Sequence, residues 1–375
     1  MRITLLSVLL VLGWSLMDVA SAQQAWLLLY RSGHFEVARA SNGTLENIAD
    51  VGELKSYGQS PRALAFLSRD TSNNSFFANI IDKSSARVTL TRPIAGYVAS
   101  HMAGPVDDVV VTQDYLYFVT MRIGANGVLE LNQKQGRLDF NQVALADGTL
   151  KTFPLPKECA TARVANFGGI PLVYTWNGYG VWKFDVAAGT LKRIVALRDV
   201  GDVLTAEDAR KQSPTAAPGP FADQVVVPGA GVFRLSKLGG LDQVLDANLN
   251  PVKRPRASVE LGFDAGPDGQ FAALFSGAFN GAPAIGVLGQ QGGSAVFEYL
   301  NPTSLVPEWK TTLASSVDAT SVIPAPANAI SYVDHDKASV ETTSASGTKQ
   351  VFSIKALDSS ADPFHVRILT LTASD

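Results

Sequence analysis

The sequence predicts an all-β chain built from one antiparallel unit repeated seven times, and three observations carry that expectation. Ser41-Asn42-Gly43-Thr44-Leu45, Ala146-Asp147-Gly148-Thr149-Leu150 and Ala187-Ala188-Gly189-Thr190-Leu191 repeat one another. Each reads as a tight turn between two strands, because Asn-Gly and Asp-Gly supply the positive φ that short hairpins need. The composition agrees: 32 Gly and 19 Pro among 375 residues, with Val, Ala, Thr and Phe abundant and only 17% of residues charged. The turn centres fall near residues 42, 84, 148, 189, 239, 291 and 359. That spacing of roughly fifty residues is the length of a four-stranded propeller blade. The expected architecture is a single β-propeller of seven four-stranded blades.

Taken in order, residues 1–22 read as a signal peptide. Arg2 gives a positive start, an apolar stretch follows to Met17, and Ala20-Ser21-Ala22 is a small-residue cleavage site. The propeller then occupies 23–375. Strand-like alternation marks residues 25–30, 62–67, 76–81, 115–121, 171–176, 181–186, 271–275 and 351–354. First strands of successive units are expected at 61–67, 106–112, 161–166, 221–227, 258–263 and 317–323. The first unit lacks one and the last has a surplus strand at 364–371. A ring closed by pairing strands from the two chain ends explains both, and closure removes aggregation-prone sheet edges. One helix is expected at 205–212, where Thr205 and Asp208 resemble a capping box; with the Pro-rich run after it, it forms an insertion near 201–220.

The stretch Val181-Trp182-Lys183-Phe184-Asp185-Val186, followed by Gly189-Thr190-Leu191-Lys192, resembles blades of many bacterial and eukaryotic β-propellers. No narrower family is matched. The Gly-His and Trp-Asp pairs of WD40 blades are missing, and the glycine doublets Gly168-Gly169 and Gly239-Gly240 lack the spaced Tyr and Trp of kelch repeats. Tandem β-sandwiches would not give so regular a spacing, and a β-helix would have a shorter period.

Blade geometry sorts the loops. First-strand starts and second–third turns share one face of the disc, and third–fourth turns, including the Gly-Thr-Leu hairpins, crowd the other. Charges at the first-strand starts, Arg62, Asp107, Asp108, Arg163, Asp223, Glu260 and Asp318, are therefore expected to ring the channel mouth. A mixed ring of carboxylates and guanidiniums suits a polar ligand or a cation with oxygen ligands, such as calcium; the competing reading is of charges that are solvated or paired with one another. On the same face, the turn of residues 31–34 brings His34, and Asp334-His335-Asp336 forms a turn in what would be the neighbouring unit. A His/Asp cluster there could hold a metal or act as an acid–base pair. Trp176 and Tyr179 flank an Asn-Gly hairpin turn and offer aromatic faces to a sugar or peptide.

Other chemistry is excluded. A net charge of −3 argues against nucleic-acid binding, and Lys253-Arg254-Pro255-Arg256, the one basic run, reads as a solvated loop. Cys159 is the only cysteine, so no internal disulfide forms, and it reads as an inert thiol. No nucleophile elbow, zinc-protease helix or phosphate loop occurs. Asn42 and Asn73 satisfy the glycosylation sequon. The leading expectation is a monomeric binding or interaction module, extracellular or periplasmic and without a membrane anchor. It would take a protein, a glycan or a small polar ligand at the channel mouth, with no cofactor evident beyond the calcium the carboxylates allow. The alternative is an extracytoplasmic propeller hydrolase, lactonase- or glycosidase-like, using those carboxylates or a bound cation.

Overall fold

The computed structural model describes residues 24–73, 75–96, 98, 109–122, 138–155, 162–175, 181–195, 221–236, 240–252, 259–260, 273–314, 317, 321–325, 328–363 and 366–372. These residues form 27 strands and one short helix, in six antiparallel sheets. The largest holds seven strands: β1 (Gln24–Arg31), β2 (His34–Ser41), β3 (Thr44–Gln59), β4 (Ala63–Asp70), β5 (Ser75–Asp82), β6 (Arg87–Ile94) and β27 (Val366–Thr372). The other five have four each. They are β7 (Val109–Val111), β8 (Tyr115–Met121), β9 (Leu138–Ala144) and β10 (Leu150–Pro154); then β11 (Ala162–Phe167), β12 (Ile170–Thr175), β13 (Val181–Asp185) and β14 (Thr190–Val195). Next come β15 (Phe221–Val227), β16 (Gly231–Ser236), β17 (Gly240–Leu245) and β18 (Val259–Glu260), then β19 (Ala273–Phe279), β20 (Ala282–Gln291), β21 (Ser294–Leu300) and β22 (Pro307–Thr312). The last set is β23 (Val322–Ala325), β24 (Ala329–Asp334), β25 (Ser339–Ser344) and β26 (Gly347–Ser353), followed by helix α1 (Ile354–Leu357).

Strand β3 explains the large sheet. Residues 44–52 pair with β2, whereas residues 53–59 pair with β4. The change of partner falls at Gly52, whose φ of +65° lets the strand turn. Divided there, the sheet is two four-stranded sets sharing one long strand. Ring closure matches the sequence expectation: β27, from the C-terminal end, pairs antiparallel with β1, from Gln24↔Thr372 to Leu29↔Val366.

The innermost strands, β3, β7, β11, β15, β19, β23 and β27, touch in succession. Gln59 at the end of β3 donates from Nε2 to the Leu369 carbonyl of β27 at 2.8 Å, which completes the circle. Gly58 is needed where β3 meets β7, because a Cβ there would lie 1.9 Å from the Val109 carbonyl oxygen. The core consists of apolar clusters, each drawn from two neighbouring four-stranded sets. Trp26, Leu28 and Val51 meet Leu64, Phe66 and Ile81; Leu27 and Leu29 meet Val333, Val340 and Ile354 across the closure. Alternation along each strand thus feeds one cluster on each side.

Some positional expectations are corrected. The segment beginning at Pro61 is the second strand of its set, since the second half of β3 takes the innermost place without any turn to announce it. Residues 258–263 do not open a new unit: β18 is the outermost strand of its set, and the next innermost strand is β19. The turns near 239 and 291 join second to third strands, and residue 359 follows α1. The true third–fourth connections there are longer or lack glycine doublets, so the doublets marked the wrong turns. The predicted helix at 205–212 and the insertion around it lie outside the described residues, as does the signal segment.

Candidate functional site

Antiparallel pairing puts second–third turns, and the passage of the chain from one blade to the next, on one face, hereafter the link face. Third–fourth turns lie on the opposite face. The turns around Asn42, Asp82, Asp147 and Asp185 are there as expected, closed by local hydrogen bonds such as Ser85 N to Asp82 Oδ1 at 2.7 Å and Thr149 N to Asp147 Oδ1 at 2.8 Å. Asn42 is exposed in this turn and Asn73 is exposed in the β4–β5 turn of the link face.

On the link face an arginine recurs where the second strand of a blade ends, each against a carboxylate of its own blade. Arg31 ends β1, with Nη1 3.0 Å from Glu36 Oε2. Arg69, one residue from the end of β4, has Nη1 3.2 Å from Glu53 Oε2. Arg122 follows β8 and grips both oxygens of Asp139 through Nε, at 2.9 and 2.8 Å. Glu53 also accepts from buried Lys55, and that hydrogen bond, more than the nearby charges, holds its carboxyl below the usual range.

The densest cluster lies where the closing blade meets its neighbour. The Ser32-Gly33 turn, with φ of 51° and 92°, sets His34 opposite Arg31. His34 Nε2 stands 3.3 Å from Asp50 Oδ2 and 3.9 Å from Glu36 Oε1. Glu36 Oε2 also accepts from Asn47 Nδ2 at 3.0 Å. Arg31 reaches further, pairing through Nη2 with Asp358 just beyond α1. That helix is fixed in turn by Ile354 N donating to the Ala338 carbonyl at 2.8 Å, in the β24–β25 turn. The 31–34 and 334–336 turns are therefore neighbours, linked through Arg31, Asp358 and α1.

The β24–β25 turn itself is a closed knot. Asp334 and His335 are buried and Asp336 is exposed. Asp334 accepts from the Lys337 amide at 3.1 Å and from its Nζ at 3.1 Å; the same Nζ lies 2.8 Å from buried Glu341. Hydrogen bonding to Glu341, then to Asp334, raises the Lys337 pKa. Tyr332 donates to Glu341 at 3.1 Å, and burial pushes its phenol up. One ammonium thus ties together two carboxylates, an arrangement suited to holding the turn.

The remaining candidates divide. Arg62 lies between β3 and β4, exposed and on the face opposite the one expected. Glu260 sits on outermost β18, paired with Gly240 and away from the channel. Arg163 and Asp223 are near the starts of innermost strands β11 and β15, where the sequence put them. Asp107, Asp108, Asp318, Trp176 and Tyr179 lie outside the described residues. Sequence reasoning missed Glu36, Asp50, Glu53, Lys55, Arg69, Arg122 and Asp139; the signal that could have found them is the arginine recurring at one place in the repeat. It also missed Arg234 and Asp242, a cross-strand pair 3.7 Å apart between β16 and β17. Burial pulls the Arg234 pKa down to about 10 and pushes that of Asp242 up. Among the described residues, no group of three or more His, Cys, Asp or Glu side chains is placed to hold a metal ion. None of their helices is long and apolar enough to cross a membrane.

No protein-family model matches the chain, and no curated protein matches it significantly. In structure it is similar to a Bacteroides fragilis protein named as a candidate 6-phosphogluconolactonase, with 11% identity, 95% of this chain and 98% of that one covered, and a TM-score of 0.53. It is also similar to a catalytically inactive virginiamycin B lyase from Staphylococcus aureus solved with quinupristin, at 7% identity, 81% and 85% coverage and a TM-score of 0.49. BamB from Moraxella catarrhalis is a further neighbour, at 12% identity, 86% and 83% coverage and a TM-score of 0.42. At 11% identity the first likeness shows the β-propeller fold alone; the other two add nothing to it.

Proposed function

We propose that the chain is a seven-bladed propeller, exported by residues 1–22, that works as a binding module through its link face. The count takes the two halves of β3 as edges of separate blades, so that every blade has four strands. The observation that carries the binding reading is the polar cluster beside the closure. The His34 and Asp50 side chains are 36% and 59% exposed. Beneath them Glu36 is already fixed by Arg31 and Asn47. A ligand arriving there meets an imidazole, a carboxylate and a guanidinium in preset positions, which lowers the ordering cost of binding. The ligand class that suits it is a small polar molecule, or a polar group of a protein or glycan.

A thermal-shift screen of sugar acids, amino acids and dipeptides tests this. A ligand at a hundredfold excess over its dissociation constant stabilises the native state by about 2.7 kcal/mol. The response should vanish in His34→Ala and Asp50→Asn variants that unfold like the parent. A response that survives both substitutions places the ligand surface elsewhere and ends the reading.

The hydrolase reading keeps one observation in its favour: His34 lies between two carboxylates, as an acid–base pair would. Its calcium form draws on Asp107, Asp108, Asp223 and Asp318. Absence of any calcium-dependent rise in unfolding temperature would remove that form, because an ion that binds only the native state must stabilise it.

A further inference from the structure

The rim of three consecutive blades carries cations without counter-charges. Arg87 and Arg92 on β6, Lys151 on β10, Lys183 on β13, and Lys192 and Arg193 on β14 are all exposed. Among the described residues none of the six has a carboxylate within ion-pair distance, whereas Arg31, Arg39, Lys55, Arg69, Arg122, Lys310 and Lys337 all do; Arg62, Lys349 and Lys355 are also exposed without one, but lie off this rim. The described acids nearest in sequence, Asp82, Asp147 and Asp185, sit in the third–fourth turns, each with its Oδ1 accepting from a turn amide. One contact is unfavourable as it stands: Lys183 lies directly opposite Lys192 in the β13–β14 ladder. Like charges facing across strands destabilise a sheet, so the free protein carries a repulsion that an anion would relieve.

We infer that this rim binds a linear acidic polysaccharide. The belt is convex and follows the ring across three blades, so a flat anionic membrane would touch only part of it, while a flexible chain can track all of it. A folded protein partner would want an aromatic or apolar anchor at the centre of its contact. Among the described residues the belt's only large exposed apolar side chains are Val88 and Val186. Repeated carboxylates or sulfates on a sugar chain match repeated Lys and Arg heads and need no such anchor. The site is separate from the link face, so its failure and that of the binding module are distinguishable.

The test uses the mature chain with immobilised alginate for carboxylates, dextran sulfate for sulfates, and neutral dextran as the blank. Retention should occur on at least one charged polymer, weaken with salt, and fall about tenfold in affinity in the Lys183→Gln/Lys192→Gln/Arg193→Gln variant, with a shallower salt dependence. That variant should unfold no earlier than the parent, since it loses the Lys183–Lys192 repulsion. Lys349→Gln, on the β26 edge of another blade, should bind as the parent does. No retention of the parent, or an equal loss in Lys349→Gln, overturns the proposal. So does tighter binding to polyglutamate or to phosphatidylglycerol vesicles, which would make the occupant a protein or a membrane.

Discussion

Lys83 shows how one residue in the next blade feels the closing strand. It sits in the β5–β6 turn, donates from Nζ to Gln59 Oε1 at 3.1 Å, and Gln59 in turn holds the Leu369 carbonyl of β27. Burial without an anionic partner lowers its pKa from 10.5 to about 8. Between those values the unfolded chain binds a proton that the native state has released, so stability must rise with pH across that window. Unfolding midpoints measured from pH 7.5 to 10.5 should therefore climb through a contribution that Lys83→Met removes. The same variant should be more stable than the parent at pH 7, where the parent keeps a desolvated ammonium. A parent and variant with parallel pH profiles would show that Lys83 is solvated in the folded protein.

At the scale of strands and turns, what the sequence reveals depends on whether a feature needs special backbone. The Gly-Thr-Leu hairpins were legible because positive φ selects glycine: Gly43, Gly148 and Gly189 have φ of 75°, 71° and 62°. The handover within β3 was not, since a strand that changes partner looks like a long strand. Nor was a ladder that two blades share. Asn79 bridges Ser68 and Thr91, and Asn141 bridges Thr120 and Thr152, with all four bonds between 2.9 and 3.0 Å. Its members come from three different strands, so no local pattern exposes the repeat. The site was half-legible for the same reason. His34 and the 334–336 turn were found because turns announce themselves, whereas Glu36, Asp50 and Asp358 join the cluster only through register and the position of α1. The Arg31–Asp358 pair is the element-level contact across the closure, and a double-mutant cycle of Arg31→Gln and Asp358→Asn measures it. A coupling of about 0.5–3 kcal/mol in chemical denaturation is expected for partly buried groups in one network. A coupling indistinguishable from zero would mean that apolar packing and the Ile354–Ala338 hydrogen bond seat α1 without this pair.

For the whole molecule, closure makes the chain ends interchangeable with any other turn. Gln24 and Thr372 are paired residues of β1 and β27, so the described chain begins and ends where its blade would otherwise carry a first–second turn. Joining Thr372 to Gln24 through Asn-Gly should create an ordinary hairpin, because a two-residue turn of that type fits the strand twist. New ends can be opened between Ala345 and Ser346, which are exposed in the β25–β26 turn. This circular permutant should fold with the same sheets and unfold within a few degrees of the parent, for every β-ladder outside the opened turn is retained. Removing residues 366–372 should do the opposite. It uncovers the edge of β1 and strips Val366, Ile368 and Leu371 from one interblade cluster and Leu369 from the next, leaving an apolar seam with an open strand, the combination that drives edge-to-edge association. Size-exclusion chromatography and circular dichroism of the two proteins decide the matter. A monomeric, cooperatively folding truncation would show that the closing strand is dispensable, and that the fold is held blade by blade and not by its ring.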